Sequence, residues 1–525
     1  MQALARAHGN LDEIVITSDG PFFERIRTDF FSGAPFFFTE VSSFIKISAA
    51  DGTNPMLVVD GDTDWADEQA VRPIPTIAAA STVPSFATGV WTHNSMSFEG
   101  IHFRIDLTDM TVINVDDLDN SSVILVRVQA RQGEYAFKDC IFEAFGNSVA
   151  PEVFGIRDMV QLNGALSASF DNCEWRYDMN LQSWPSFSNG LGMLIAQSGI
   201  DNNPVVRVDF NDCVFQAVPD TRDPMGDIKA RHIGSGGGPG TGIFTINNTV
   251  FGTDRDRFNV PDEGEGGGAG HLDGMVNEQA QQAQVSVAGS GITYTINDCT
   301  FLDGTDRQIG ADTNIVASGL PLNRCIFEPT TIGSTILGDP GATGFFLTNS
   351  VVRYDSRHLN GGAPIRLWAE GADRAAQFVH CLFQDVAGLE GDSEVNVASM
   401  DDTTGLNSGV LSTMTNCIVD APAMAEGVFE NIDSPGVQPV ADNPGGSGNL
   451  LNTRPLSLQL LPGSAVLARG NPQLGEDNLH LSDCYLLAID QVDGSAGVTD
   501  AIDGAPRPSG ANFDVGPDEF TGTPG

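Results

Sequence analysis

Three side chains with acid–base or cationic character, Lys229, Arg231 and His232, stand close together directly before a glycine-rich stretch. The chain has only three lysines, so a lysine beside Arg and His is a notable combination. Residues of these types can take or give a proton and can stabilise negative charge. They are our candidates for catalytic residues. A second group of the same kind consists of Tyr354, Arg357 and His358.

Three aspartates, Asp60, Asp62 and Asp64, have the Asp-x-Asp-x-Asp spacing of calcium-binding loops. An EF-hand would next require Gly and, at its twelfth position, Glu; this chain has Trp65 and Val71 there. The segment is therefore not an EF-hand, and we interpret it as a looser calcium site, with calcium as the only cofactor expected. Residues 115–119 are a weaker candidate of the same kind.

A six-residue pattern that must position such side chains occurs ten times, at steps of 25 to 50 residues. Its first, fourth and sixth positions are apolar or small, and its third is Asn or Asp in seven copies. This alternation buries one face of a strand, and Asn or Asp tolerates the left-handed backbone of a tight bend. The repeat predicts an all-β solenoid. The copies begin at Phe98, Phe137, Phe170, Phe210, Ile246, Ile296, Leu322, Leu347, Phe378 and Met414.

Seven of the eight cysteines occupy the fourth position of the pattern. Stacked copies would place their thiols in one inward column, where Cys packs as a small apolar residue. Parallel thiols seldom have disulfide geometry, and no Cys/His spacing is typical of zinc. We predict an unpaired packing ladder rather than disulfides or a metal column. Its members are Cys140, Cys173, Cys213, Cys299, Cys325, Cys381 and Cys417.

The repeat resembles that of the right-handed parallel β-helix in the pectate-lyase-like superfamily, over roughly residues 10 to 435. The segments at 464–467, 503–508 and 513–519 resemble, in part, the C-terminus of secreted bacterial β-helix proteins. The resemblance implies a secreted right-handed parallel β-helix. Polysaccharide lyases of this superfold neutralise a uronate carboxylate with calcium or a cation, and use Arg, Lys or His as the base. Lys229, Arg231 and His232 have the residue types for such a role but carry no family signature, because the chain has no Asp-Asp and Gly-His-Gly set like that of polygalacturonases and no Arg-x-Pro-x-x-Arg like that of pectate lyases.

Three regions are predicted along the chain. Residues 1–95 form an N-terminal cap, with a short helix near 3–8, and the first irregular coils. Residues 96–435 form the β-helix repeats, and residues 436–525 form an irregular C-terminal capping segment that covers the open strand edges. Glycine-rich stretches at 234–242 and 262–270 are predicted loops, which in solenoids often decorate the binding face.

Charged residues recur three positions after the fourth residue of the pattern. Arg104, Arg176 and Arg353 occupy this offset, each followed two residues later by Asp, and Glu143 and Glu328 occupy it in other copies. Two interpretations remain open. The stripe binds an anionic polysaccharide, or it forms surface ion pairs between adjacent coils, each stabilising by under about 1 kcal/mol. The second is favoured.

Composition restricts the partners. Lys and Arg total 26 against 69 Asp and Glu, giving a formal net charge of −43. Such a surface repels nucleic acid and anionic lipid, and it suits divalent cations and saline surroundings. No apolar run reaches transmembrane length. We expect an extracellular or cell-surface protein. No secretory signal is visible in residues 1–8, so if the protein is secreted, its signal has been removed.

The leading hypothesis is a non-catalytic secreted or cell-surface β-helix that acts as a structural, adhesive or carbohydrate-binding component. Its partner would be an extracellular polysaccharide or a cell-surface component, and self-assembly is compatible with the fold. The alternative is a polysaccharide lyase or glycoside hydrolase on the same fold. A viral tailspike-like trimer is a third hypothesis, against which the bacterial-type C-terminus argues.

Overall fold

The structure is a computed structural model, and it describes strands and bends along most of the repeats. The described residues are 13–22, 26–27, 45–60, 87–92, 95–106, 122–128, 133–146, 155–163, 166–179, 193–196, 206–218, 233–236, 242–253, 283–287, 292–301, 307–311, 320–328, 336–338, 345–356, 364–368, 376–385, 398–401, 413–420, 429–430, 450–451, 500 and 506.

The chain divides into two compact units. Unit 1 comprises Met1–Phe244, Phe251–Gly268 and Ala288–Ser290, and unit 2 comprises Thr245–Val250, Ala269–Val287 and Gly291–Gly525.

The strands of unit 1 are β1 (Glu13–Ile16), β2 (Ile26–Arg27), β3 (Ile45–Ala49), β4 (Met56–Asp60), β5 (Ala87–Thr92), β6 (Met96–Glu99), β7 (His102–Asp106), β8 (Ser122–Val128), β9 (Glu134–Lys138), β10 (Ile141–Gly146), β11 (Gly155–Asn163), β12 (Ser167–Asp171), β13 (Glu174–Met179), β14 (Met193–Ala196), β15 (Arg207–Asn211), β16 (Val214–Val218) and β17 (Ile233–Gly236). Residues of both units occur in β18 (Gly242–Asn247) and β19 (Val250–Thr253).

The strands of unit 2 are β20 (Ala283–Val287), β21 (Ile292–Asn297), β22 (Thr300–Phe301), β23 (Arg307–Ala311), β24 (Leu320–Asn323), β25 (Ile326–Phe327), β26 (Ile336–Gly338), β27 (Phe345–Thr348), β28 (Val351–Tyr354), β29 (Ile365–Trp368), β30 (Ala376–Val379), β31 (Leu382–Asp385), β32 (Ala398–Asp401), β33 (Thr413–Thr415), β34 (Ile418–Asp420), β35 (Phe429–Glu430) and β36 (Leu450–Leu451).

Successive strands of the chain go to three parallel sheets in turn. In unit 1, sheet A has the order β1-β3-β6-β9-β12-β15, sheet B the order β4-β7-β10-β13-β16 and sheet C the order β2-β5-β8-β11-β14-β17. In unit 2, sheet A runs β21-β24-β27-β30-β33, sheet B β22-β25-β28-β31-β34-β36 and sheet C β20-β23-β26-β29-β32-β35. The described part of the chain is thus all-β with all-parallel sheets, an arrangement compatible with the predicted parallel β-helix.

The core consists of stacked columns made by the first and sixth positions of the repeat. In unit 1 the first-position rings of Phe98, Phe137 and Phe170 stack with centroids 5.2 and 4.9 Å apart. The sixth-position rings of Phe142 and Trp175 stack at 4.9 Å. All five are 0% exposed. Parallel register repeats the same residue at the same height in each coil, so the alternation seen in the sequence becomes a continuous apolar interior.

The third position forms the predicted bend. All ten third-position residues have a positive φ: Gly100, Asp139, Asn172, Asp212, Asn248, Asp298, Arg324, Asn349, His380 and Asn416, with φ between 46° and 70°. Backbone N–H groups of this row donate to the next coil; Asn172, for example, donates to the Asn211 carbonyl at 2.9 Å. The prediction of a left-handed bend is confirmed in every copy, including those with Arg and His.

The cysteine ladder is also confirmed for the seven cysteines that the structure describes, which are buried and free. Each thiol lies within 3.6 Å of the first-position carbonyl of the preceding copy, as Cys173 does with Phe137 O at 3.3 Å. Burial raises the pKa of the Cys173 and Cys381 thiols well above the ordinary value. These two thiols are therefore neutral in the folded protein. Cys484 lies outside the described residues.

No helix occurs in the described ranges, and hence none there that is long and apolar enough to cross a membrane. The N-terminal helix expected near residues 3–8 lies outside those ranges. The strand expected at Glu13 is present as β1, which pairs in parallel with β3. The proposed boundaries at 95 and 435 stay predictions.

Candidate functional site

The outward face of sheet B in unit 1 gathers charged side chains from three neighbouring strands. Parallel register aligns Arg104 of β7, Glu143 of β10 and Arg176 of β13 in one row. An adjacent row contains His102 and Glu174. Because side chains alternate along a strand and the intervening Phe and Trp residues point into the core, these five side chains point outward. We call them the polar cluster.

Glu143 is the centre of the polar cluster. Its Oε2 lies 2.9 Å from His102 Nε2 and 3.1 Å from Arg104 Nε. The side chains are unusually enclosed for an outward face, with 12% of Glu143 and 6% of His102 exposed. A carboxylate so enclosed needs opposite charge and hydrogen-bond donors, and His102 and Arg104 supply both.

The electrostatic balance favours ionised Glu143. Burial alone raises the pKa of the Glu143 carboxyl, but the His102 hydrogen bond and the nearby charges of His102, Arg104 and Arg176 outweigh it. The pKa of Glu143 is therefore held below its ordinary value. Glu143 is an anion at neutral pH, and it can orient the His102 ring by fixing one of its nitrogens.

Two further contacts shape the cluster. The Arg104 guanidinium carbon lies 3.6 Å from the centroid of the half-buried Phe145 ring, a cation–π arrangement. Arg176 pairs with Glu174 of its own strand, and that hydrogen bond raises the pKa of Arg176. Arg176 is the more open of the two arginines, with 35% of its side chain exposed against 19% for Arg104. It is the cation of the cluster that a ligand reaches most directly.

Unit 2 repeats the motif with fewer members. Arg353 of β28 binds Glu328 with Nη1–oxygen distances of 2.8 and 3.0 Å, and its Nε donates to Gln384 Oε1 at 3.2 Å. The charged residues three positions after the fourth residue of the pattern were interpreted as ion pairs between adjacent coils. This interpretation is confirmed for Arg104 and Arg353, whose carboxylate partners lie on neighbouring strands. Arg176 instead pairs within its own strand. Binding of a polysaccharide to this stripe stays a prediction.

Of the predicted catalytic and calcium-binding residues, the structure describes Asp60 and Tyr354, which belong to different candidate groups. Lys229, Arg231 and His232 lie outside the described residues, as do Asp62, Asp64, Arg357, His358 and residues 115–119. Asp60 ends β4 and is aligned with Asp106 of β7. Tyr354 is buried in the core of unit 2, 1% exposed. Within the described ranges no group of three His, Cys, Asp or Glu side chains is arranged to hold a metal ion. The calcium site stays a prediction.

His102 and Glu143 are the site residues that sequence reasoning missed. The sequence analysis does not single out His102, and it includes Glu143 only as a member of the charged stripe. Aligning the first two copies on their fourth positions puts His102 one residue after, and Glu143 three residues after, that position. Their outward orientation followed from this alignment, but the contact between them required the coil geometry.

Comparison with known proteins adds no assignment. No protein-family model matches the sequence, and a search of the curated proteins gives no match. The polar cluster is consequently the most specific indication of function in the described part of the chain.

Proposed function

We propose that the protein is a right-handed parallel β-helix that works outside the cell or at the cell surface as a carbohydrate-binding structural component. The observation that carries the proposal is the polar cluster. In-register strands stack outward arginine, carboxylate, imidazole and aromatic groups at a strand spacing of about 4.8 Å. A linear polysaccharide laid across the strands of unit 1 meets the outward side chains of one strand after another, so individually weak contacts add along it.

The chemistry of the cluster suits sugars. Carbohydrate sites combine apolar ring surfaces with planar hydrogen-bonding groups. Phe145 supplies an apolar ring, and Arg176 supplies donors in a fixed fork. His102 is hydrogen-bonded to Glu143 and Arg104 is ion-paired with it, so these three side chains are already held in place and lose little conformational entropy on binding. The net charge of −43 favours neutral polysaccharides, or acidic ones bridged by calcium.

Binding by the full chain to neutral and uronate polysaccharides, with and without calcium, tests this proposal. Arg176→Ala should weaken binding about tenfold, the equivalent of about 1.4 kcal/mol. The matched control is Arg353→Ala, which removes an outward arginine at the same offset in unit 2. Loss of binding in both variants alike, or no binding of any polysaccharide by the wild type, would contradict the assignment to unit 1.

A polysaccharide lyase or glycoside hydrolase is the second candidate, and the enclosed His102–Glu143 pair favours it. A carboxylate that fixes an imidazole is a common arrangement for a general base. Incubation with the same polysaccharides, followed by assays for unsaturated and reducing ends, tests this activity. Products that vanish in Glu143→Gln and His102→Asn would support it. Products unchanged in both variants would move the chemistry elsewhere, with Lys229, Arg231 and His232 next to test.

A further inference from the structure

The outward face of sheet B in unit 1 is closed at one end and open at the other. Toward the N-terminal strands its side chains are buried, since Val58 of β4 is 6% exposed and His102 of β7 is 4% exposed. Toward β13 and β16 they are accessible, with 35% of the Arg176 side chain, 26% of the Glu174 side chain and 38% of Val214 exposed. We call Glu174, Arg176 and Val214 the open end. A ligand of the polar cluster meets these three side chains first.

Strand register fixes the three residues of the open end relative to one another. Val214 of β16 is aligned with Glu174 of β13, and its N–H donates to the Cys173 carbonyl at 2.9 Å. Arg176 lies two residues after Glu174 on the same face of β13, and its Nη2 donates to Glu174 Oε2. An apolar residue therefore stands one strand spacing, about 4.8 Å, from the strand that carries a paired carboxylate and guanidinium.

This combination matches the two kinds of surface on a pyranose ring. A sugar ring has an apolar face of C–H groups, which can cover Val214 and remove its side chain from water. Around the rim of the ring, each hydroxyl can both donate and accept hydrogen bonds. Arg176 only donates and the Glu174 carboxylate only accepts, so two neighbouring hydroxyls can bind both side chains at once.

The charge balance at the open end disfavours an acidic sugar. Arg176 is already paired with Glu174, and Glu143, which is aligned with Arg176 on the neighbouring strand, is a second carboxylate. The formal net charge of the whole chain is −43. A uronate carboxylate here would meet two carboxylates and a guanidinium that is already paired, whereas an uncharged ring makes the hydroxyl contacts without this repulsion.

We propose that the open end is a subsite for one uncharged pyranose ring, and hence that the polar cluster takes neutral polysaccharides without calcium. The inference rests on the proposed function, because it names the substrate class of that same site. Val214 contacts the face of the ring, Arg176 donates to one hydroxyl, and Glu174 accepts from the next. Glu174 determines the specificity, because it accepts from the sugar and also neutralises the guanidinium that would otherwise attract acidic sugars.

Isothermal titration calorimetry of the full-length protein tests the subsite. The probes are hexasaccharides of equal length: uncharged ones built from glucose, mannose or galactose, and acidic ones built from galacturonate or guluronate. Each is titrated with calcium and with chelator. The wild type should bind at least one uncharged probe about tenfold more tightly than either uronate probe, to the same extent with calcium and with chelator.

Glu174→Gln should change the selectivity in two directions. Binding of the uncharged probe should weaken about tenfold, because a carboxylate acceptor is lost, and binding of the uronate probes should strengthen about tenfold, because Arg176 is left unbalanced. A merely structural role of Glu174 would not strengthen uronate binding. The matched control is Glu134→Gln, which removes an exposed carboxylate from sheet A of unit 1 and should change neither affinity.

Val214→Ser tests the apolar contact separately. It should weaken binding of the uncharged probe about threefold, because less apolar surface is covered by the ring. The position is 38% exposed, so the melting temperature should hardly change.

The outcomes separate this inference from the proposed function. Tighter binding of a uronate probe, a requirement for calcium, or uncharged-probe binding that is unchanged in both Glu174→Gln and Val214→Ser would overturn the neutral subsite and leave carbohydrate binding intact. A wild type that binds none of the probes would overturn both.

Discussion

At the scale of single residues, the bends depend on what the third position tolerates. A left-handed backbone brings Cβ close to the following carbonyl, a cost that is small for Asn and Asp and large for β-branched residues. Side chains add to the choice: Asn172 Nδ2 donates to Asp139 Oδ1 at 2.7 Å, which ties one coil to the next. The bend row is therefore selected both by backbone conformation and by stacking.

Replacing Asn172 tests whether backbone conformation contributes to the choice of residue at the bend. Asn172→Val should lower the free energy of unfolding by about 1–2 kcal/mol more than Asn172→Gly does, because both lose the amide but only Val strains the φ of 52°. Chemical denaturation of the two variants measures the difference. Equal stability of the Val and Gly variants would show that the hydrogen bond, and not the backbone, determines the residue.

The thiol column makes a second residue-scale prediction. The seven cysteines of the ladder should hardly react with thiol reagents in native protein at mildly alkaline pH, because burial blocks access to them and also raises the pKa of Cys173 and Cys381. Denatured protein should titrate close to the eight cysteines of the sequence. Finding four or more of them in disulfides would overturn the ladder.

Serine should be tolerated in that column. Ser350 already occupies it, and its hydroxyl donates to the Thr348 carbonyl at 2.7 Å. Cys299→Ser should therefore cost only about 1 kcal/mol, because the new hydroxyl has the Asn297 carbonyl within reach. Cys299→Ala, which leaves a small cavity and no donor, is the comparison and should cost more. The reverse order of stabilities in thermal denaturation would contradict this account.

At the scale of elements, register converts separate charged residues into a network. Strand β10 lies between β7 and β13, so Glu143 has a cationic neighbour on both sides. Partial enclosure of the cluster strengthens these interactions relative to those of a fully exposed pair, and makes loss of one member more costly.

Glu143→Gln should lower the free energy of unfolding by about 1–3 kcal/mol at pH 7, because His102 and Arg104 lose their charged acceptor. The pKa of Glu143 is lower in the folded protein, so its contribution is present above the ordinary carboxyl pKa and is lost as pH falls through the folded value. The stability difference between wild type and variant should therefore shrink in acid. The exposed Glu134→Gln is the control, and a pH-independent difference would count against the electrostatic explanation.

At the scale of the whole molecule, acidity dominates. Both described lysines lie in one ion-pair series on sheet A of unit 1, where Lys46 Nζ is 3.0 Å from Glu13 and 2.8 Å from Glu99, and Lys138 Nζ is 2.9 Å from Glu99. With 69 acidic residues against 26 basic ones, most carboxylates have no cation of the chain to pair with. Self-repulsion should make stability sensitive to ions in solution.

We expect the melting temperature to rise with sodium chloride, through screening, and to rise further with calcium at constant ionic strength. Calcium that binds only the native state stabilises by about 2.7 kcal/mol at a hundred times Kd. The triple variant Asp60→Asn, Asp62→Asn and Asp64→Asn should lose the rise in melting temperature caused by calcium and keep the rise caused by sodium chloride. A melting temperature unchanged by chelator and by salt would refute the prediction.

The sequence by itself determined the repeating elements. Strand alternation, the bend at the third position and the inward thiols are set by backbone sterics and side-chain size, and these act within a few residues in every copy. The first and third positions of the ten copies, such as Phe98 and Asn172, therefore predict the sheets, the core and the bends without knowledge of the loops between the copies.

Only the tertiary structure decided which outward side chains meet. His102 and Glu143 are 41 residues apart, and Arg324 and Asp500 are 176 residues apart. Outward positions are not constrained by the interior, and the spacing between copies varies from 25 to 50 residues. Contact between two outward side chains depends on strand register and on the path of the chain between coils. Both are set by residues far apart in the sequence, so no local pattern encodes them.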